Sequence, residues 1–397
     1  MIKKQENIWF IGLLIFHIGF LIYASTTFSI SYKEAEIYFH QHNLLSYITH
    51  FSTSIFGQND IALRLPFIFF YACSAIVLYL LTDDYFKKPY DRFIAIFIFT
   101  LLPGLNSAAL LVNESIIVVF FTLLYLYIYK LKQKECYLLL VLFLFIDNSF
   151  AILYLALFFY SLKKKDNILL IVSLSLFGIS MSMFGFHVGG HPKGYLIDTF
   201  GIYASIFSPL LFLYFFFSLY RVGLKWEKDM YWYISMTALG LSLLLSLRQK
   251  INLADFAPFV VISIPIMVKL FLHSYRVRLP QFRKKHTIGI WIVLGILVIN
   301  YFSFIYNKYL YIFFSDKTNH FAYKYHIAKE LAFKLKSQHI TSISTDDKKM
   351  QLRLKFYGIS YGKQFYITSH YVDSYDKLLT INYYGEDVAK YKLIKLN

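Results

Sequence analysis

The chain is short of acid, of cysteine and of charge in general. It sets 23 aspartates and glutamates against 40 lysines and arginines, and it has two cysteines in 397 residues. Cys73 and Cys136 fall in or beside apolar segments, so they suggest neither a disulfide framework nor a metal site. Charged residues make up 16% of the chain, against roughly 25% in soluble domains, and that excludes an ordinary soluble enzyme. The C-terminal part has no glycine-rich phosphate loop, which removes the usual route to nucleotide binding. No internal repeat is visible, and repeats are what many transporters are built from.

What is present is apolar and aromatic. Hydrophobic residues reach 58% and aromatic ones 20%. This composition predicts an α-helical polytopic membrane protein, with part of the Tyr and Phe content forming an interfacial belt. The formal charge of +17 then reads as cytoplasmic Lys and Arg rather than as a nucleic-acid surface.

The first apolar run, Ile8 to Ala24, follows Lys3 and Lys4. Ala24-Ser25 could pass for a signal-peptide cleavage site, but the later topology needs an uncleaved first span. Further spans are predicted near Leu65–Leu81, Phe93–Leu111, Ser115–Tyr129, Tyr137–Ile146, Ser149–Leu162, Ile168–Phe184, Ile202–Tyr220, Met230–Leu247, Ala257–Leu272 and Ile288–Phe304. That makes about 11 transmembrane helices, several shorter than the ~20 residues a perpendicular span needs. Phe93–Tyr129 and Tyr137–Leu162 are ambiguous, since each could be two short helices meeting at the outer face.

Loop charge predicts the orientation. One set of loops carries Lys87, Lys88, Arg92, then Lys130, Lys132, Lys134, then Lys163 to Lys165, then Arg221, Lys225, Lys228, and finally Arg276, Arg278, Arg283, Lys284 and Lys285. The other set holds only Lys33, Arg64, Lys193, Arg248 and Lys250. The positive-inside rule places the first set and the N-terminus in the cytoplasm.

The outer loops carry the candidate chemistry. The first, residues 25–64, is long and holds Glu34 and Glu36 just beyond a span, where carboxylates are costly unless solvated or used. In a helix these two lie about 200° apart, so only one can face a site. Tyr32 to His50 has helical apolar spacing, which predicts an amphipathic helix in the interface. Glu114, in Asn113-Glu114, is the one acid between Arg92 and Lys130, placed where that apolar stretch turns. A later loop has His187, His191 and Lys193, and another has Arg248, Lys250 and Asp255.

Carboxylates beside cations suit group transfer at a membrane surface. A carboxylate can deprotonate an acceptor hydroxyl, and Arg and Lys, or a metal held by the acids, can neutralise a phosphate leaving group. Each feature also has a plain structural reading. Glu34 and Glu36 read as solvated loop acids, and Glu114 as an acid favoured at a helix N-terminus. Arg248 and Lys250 read as snorkelling anchors, His187 and His191 as polar loop residues, and Asp147-Asn148 as a helix-turn pair.

From about Asp316 the composition changes. A helix is predicted over Tyr323–Gln338, with short strands at Ser342–Ser344, Met350–Phe356, Gln364–Thr368, Leu378–Tyr383 and Lys390–Leu396. The division expected is a transmembrane module over 1–310 and a small α/β extracytoplasmic domain over 311–397.

Several motifs then resemble one family. Ser31-Tyr32-Lys33-Glu34-Ala35-Glu36-Ile37-Tyr38 resembles the Asp-Glu-Ala-x-Tyr signature in the first outer loop of the GT-C glycosyltransferases, in the branch of lipid A aminoarabinose transferases and protein O-mannosyltransferases. Arg64-Leu65-Pro66 is similar to the start of the family's second helix, and Leu102-Pro103 with Asn113-Glu114 to its second acidic motif. Lys250 followed by Phe256-Ala257-Pro258 and Pro265 resembles its Lys-x-x-x-Tyr-x-x-Pro element, and Leu352 to Tyr357 its Arg-Phe-Tyr stretch. Lys33 stands where the family has Asp, and Asp147-Asn148 where it often has Lys.

The resemblance implies an inverting transfer of a sugar from a polyprenyl-phosphate donor to lipid A, a lipid-linked glycan or a protein, at the outer face of a bacterial inner membrane. It implies Glu34 or Glu36 as base and Glu114 as second acid. Arg248 and Lys250 would hold the donor phosphate, and Lys33, His187, His191 and Lys193 would lie at the substrate entrance. No cofactor is specified, and a divalent cation, if used, would sit on Glu34 and Glu114. The competing readings are a lipid-linked glycan transporter or flippase, and a catalytically degenerate assembly protein of the same fold.

Overall fold

The computed structural model describes residues 2–185, 188–189, 194–370, 372 and 374–396. The chain forms two compact units, one of Met1–Ile18, Phe69–Ala109 and Asn113–Tyr301, the other of Gly19–Ile68, Leu110–Val112 and Phe302–Asn397.

Among the described residues five helices are long and apolar enough to cross a membrane: Gln5–Thr27, Asp60–Leu81, Ser115–Lys132, Ala257–Val277 and Pro280–Ile305. Two bent pairs raise the number to as many as 7 if each is one span. Pro89–Leu101 and Pro103–Leu110 meet at 55°, Leu196–Phe207 and Pro209–Lys225 at 105°. Proline causes both breaks. A residue before proline is pushed out of the helical region, and Leu102 is extended with ψ 123°. Ser208, before Pro209, takes φ 78°, a conformation that L side chains rarely adopt and that needs the surrounding structure to hold it. Asn167–Met183 and Met230–Ser246 are shorter apolar helices. The reading of about 11 spans is thus larger than length and apolarity alone support, but the chain is a multi-pass helical membrane protein.

Within the larger unit, Phe150–Lys164 packs against Asn167–Met183 and Met230–Ser246, and Pro209–Lys225 packs against Ile264–Val277. One end is pinned by Arg92. Its guanidinium lies 3.3 Å from the centre of the Tyr79 ring, bonds the Tyr79 carbonyl at 2.8 Å and pairs with Asp83 at 3.0 Å and Glu6 at 3.3 Å. A buried cation is tolerated only with such complete partnering.

In the smaller unit the stretch predicted as a single helix over Tyr32–His50 is two helices: Tyr32–His40 and Leu44–Phe56. The chain leaves the helical region at Gln41, and Asn43 caps the second helix by accepting from the Ser46 N–H at 3.0 Å. The tail holds two helices, Ala328–Lys336 and Lys348–Phe356, and four strands, Ser342–Thr345, Ser360–Thr368, Lys377–Tyr383 and Glu386–Lys395. In the sheet the strands lie in the order first, second, fourth, third. The first pair is parallel and the others antiparallel. Leu331, Leu335, Ile343, Leu354, Ile367 and Leu393 fill the core beneath it.

Met350–Phe356, predicted as a strand, is helical. Its alternating apolar residues suggest period two, but the buried side chains are Met350, Arg353, Leu354 and Phe356, with Leu352 only half-buried, and the adjacent Arg353 and Leu354 cannot share one face of a strand. Asp347 starts the helix by accepting from the Lys349 N–H at 2.8 Å. Gly362 allows the close approach of the parallel pair, since a Cβ there would lie 2.5 Å from Ser342 Oγ.

Candidate active site

The Glu34 motif is built by local sequence. Ser31 and Glu34 form a capping box. The Ser31 Oγ accepts from the Glu34 N–H at 3.2 Å, and Glu34 Oε2 accepts from the Ser31 N–H at 2.7 Å. Glu34 Oε1 accepts from the Val112 N–H at 3.2 Å, and Arg64 stands 3.5 Å from Oε2. With Glu34 only 2% exposed, both its oxygens are committed. Glu36, on the other side of the helix, is half-buried, and among the described residues its side-chain partner is the Tyr32 hydroxyl at 3.5 Å. Lys33 is exposed.

Arg64 organises this region and is fully buried. It donates to the carbonyls of Leu110 at 2.7 Å, Phe28 at 2.8 Å, and Ser25 and Ser29 at 3.2 Å. Asp60 lies 3.8 Å away and is also paired with Lys329 at 2.8 Å. The tail closes over the same backbone. The Tyr357 hydroxyl donates to Asp60 at 2.5 Å and accepts from the Ile30 N–H at 2.8 Å. Arg353 donates to the Ile30 carbonyl at 2.9 Å and to the Lys324 carbonyl.

The larger unit has an acidic centre of its own. Glu114 precedes the helix Ser115–Lys132, Asp147 lies in the turn before Phe150–Lys164, and Asp255 precedes the short helix Ala257–Val260. A side-chain bond ties the Glu114 turn to the Asp255 turn, and another holds the turn of Asp147 to the residue after Phe184. The Ser115 hydroxyl donates to the Ala254 carbonyl at 3.1 Å, and the Asn148 amide to the Gly185 carbonyl at 3.3 Å. The three acids repel one another. Burial, with the negative charge of Asp147, raises the Glu114 carboxyl above its ordinary value. Burial, then Asp147 and Glu114, raises Asp255 to about 7, against the pull of the Asn252 amide at 2.8 Å. Neither Glu114 nor Asp255 has a cationic partner among the described residues.

Arg248 and Lys250 are exposed. Lys250 lies in a two-residue strand that pairs with Val188–Gly189, with Gly189 opposite Lys250. His187, His191 and Lys193 lie outside the described residues. Among the described residues no group of three or more His, Cys, Asp or Glu is arranged to hold a metal ion.

The sequence sets Glu114, and Asp255 with Arg248 and Lys250, among the candidate features, and reads Asp147 as part of a helix-turn pair. The available signal was the same for all three: a lone acid where an apolar run turns.

Comparison with known proteins bears on this arrangement. A family model for dolichyl-phosphate-mannose-protein mannosyltransferases matches residues 43–180. Among solved structures, the chain is similar to ArnT from Cupriavidus metallidurans bound to undecaprenyl phosphate, with a TM-score of 0.59 at 10% identity over 98% of this chain and 97% of that one. The apo form of the same ArnT aligns with a TM-score of 0.56 at 11% identity, over 99% and 98%. The chain has the GT-C glycosyltransferase fold. No curated protein sequence matches.

Proposed function

We propose that this chain is a membrane glycosyltransferase that moves a sugar from a polyprenyl-phosphate donor to a lipid, glycan or protein acceptor at the outer face of a bacterial inner membrane. The observation that carries the reading is the fold likeness along nearly the whole of both chains to an enzyme solved with undecaprenyl phosphate. In the reaction, a carboxylate takes the proton of the acceptor hydroxyl. The hydroxyl oxygen then bonds the anomeric carbon from the side opposite the phosphate, the bond from that carbon to the phosphate oxygen breaks, and the lipid phosphate leaves with the electron pair. The sugar inverts.

Glu36 is the better base of the first motif, because its carboxylate is half-exposed and weakly held, whereas Glu34 is committed to the helix start and to Arg64. Glu114 is the second acid, orienting the acceptor or a divalent cation. Asp255, raised to about 7, is poised to exchange a proton near neutrality. Arg248 and Lys250 neutralise the donor phosphate, and Lys33 lies at the substrate entrance.

The test is glycan mass spectrometry of the lipid A, lipid-linked oligosaccharide and surface-protein fractions from cells with and without the gene, complemented by wild type, Glu36→Ala, Glu34→Ala and Glu114→Ala. One sugar lost without the gene, restored by wild type and not by Glu36→Ala or Glu114→Ala at normal protein level, is the expected result. No change in any fraction, or full rescue by both variants, refutes the proposal.

A further inference from the structure

A cavity of about 650 Å³ lies between the helices Pro209–Lys225, Ile264–Val277 and Pro280–Ile305, with Pro89–Leu101 contributing Ile94 and Ile98. Its walls are apolar, with Leu213, Phe217, Phe271 and Val293 among them. One end is basic, formed by Arg221, Arg278, Lys285 and His286. No acid lines the cavity, and neither Arg221, Arg278 nor Lys285 has an acidic partner among the described residues. An apolar slot ending in three uncompensated cations has the form of an anionic amphiphile.

The depth of the slot narrows the choice. From Arg221 to Leu210 along one wall is about 17 Å at 1.5 Å per residue, close to half of the roughly 30 Å hydrocarbon core. The occupant therefore stays within one leaflet. The basic end also lies at the opposite end of a span from the acidic centre, since Asp255 precedes Ala257–Val277 and Arg278 follows it. A ligand held here is remote from Glu114, Asp255 and Lys250.

We propose that this cavity binds an anionic diacyl phospholipid from the leaflet that the basic loops face. The phosphate sits among Arg221, Arg278 and Lys285, and one acyl chain lies along Phe217 and Phe271. Three basic side chains around one phosphate set a preference on the order of a hundredfold over a zwitterionic lipid. Basic pockets between helices on the cytoplasmic side are a known form of such recognition.

Native mass spectrometry of the full chain, delipidated in detergent, tests the site with phosphatidylglycerol, phosphatidylcholine, undecaprenyl phosphate and inorganic phosphate. The expected result is selective retention of phosphatidylglycerol. Retention is lost in the Arg221→Gln/Arg278→Gln/Lys285→Gln variant and also in Gly289→Phe, which keeps every charge but fills the slot. A Cβ at Gly289 meets nothing within 4 Å, so the plug is sterically admissible at the backbone. Leu213→Trp plugs the opposite wall and serves if Gly289→Phe does not fold. Equal retention of phosphatidylglycerol and phosphatidylcholine overturns the proposal. So does unchanged retention in a folded plugged variant, which would mark surface attraction alone. Displacement of phosphatidylglycerol by equimolar undecaprenyl phosphate or inorganic phosphate overturns the choice of lipid.

Discussion

Replacing Arg64 by Met should strongly destabilise the smaller unit while leaving side-chain volume nearly unchanged. The guanidinium holds four carbonyls from Ser25, Phe28, Ser29 and Leu110 at 2.7–3.2 Å. It also faces the buried carboxylates of Glu34 at 3.5 Å and Asp60 at 3.8 Å. Removing one partner of a buried ion pair costs roughly 3–5 kcal/mol, because the other charge is left without compensation. Asp60 keeps Lys329, but Glu34 has no second cation within 4 Å among the described residues, so the low end of that range is a minimum. The orphaned carbonyls add to it at about 1 kcal/mol or more each. At roughly 2–4 °C per kcal/mol, about 3 kcal/mol from the ion pair and about 4 from the four carbonyls should lower the melting temperature by about 14 °C or more. Arg64→Lys should recover only part of the loss, since an ammonium cannot fork to carbonyls on several sides. The assay is thermal melting of the detergent-solubilised protein, with limited proteolysis reporting on the tail. A drop of under about 2 °C for Arg64→Met, outside the range expected from even 1 kcal/mol, would refute the view of Arg64 as the organising group. The same experiment separates the two glutamates: Glu34→Ala should lower the melting temperature, whereas Glu36→Ala should not.

Three further outcomes follow from the geometry. Asp255, raised in the folded state to about 7 from an ordinary 3.8, binds more protons folded than unfolded between those values, so stability declines as pH rises from about 4 to about 7. Thermal melts at pH 5 and pH 8 should show that decline in wild type and a smaller one in Asp255→Asn. Arg248→Gln with Lys250→Gln should raise the KM for a polyprenyl-phosphate sugar by about tenfold or more, from lost charge-assisted contacts, with kcat less affected; an unchanged KM removes both from donor binding. Gly362→Ala should destabilise the tail by about 1–3 kcal/mol, the usual cost of overpacking, because its Cβ would meet Ser342 at 2.5 Å; chemical denaturation of the full chain reads the difference.

The sequence by itself determined the class of the protein. Apolarity sustained over a span is a property of composition along the chain, so the long helices from Gln5–Thr27 to Pro280–Ile305 were visible without coordinates. The order of the motifs around Glu34, Arg64, Glu114 and Tyr357 was sufficient to suggest the GT-C fold. Local chemistry was legible too, where it stayed local: Ser31 and Glu34 have the spacing of a capping box, and proline marks the breaks at Leu102 and Ser208.

Only the tertiary structure decided which charges are used to hold the fold. Arg64 reaches the carbonyl of Leu110, 46 residues away, and Tyr357 reaches Asp60 across 297. Nothing in a window of residues encodes such distances. The division near residue 310 expected from composition leaves the first outer loop with the spans, whereas in the structure Gly19–Ile68 packs in one unit with Phe302–Asn397. Met350–Phe356 alternates like a strand, yet its burial is that of a helix, because packing against the sheet and the cap at Asp347 outweigh the alternation. The mutual repulsion of Glu114, Asp147 and Asp255 arises only once three separate turns meet, since charge interaction depends on distance in space and not along the chain.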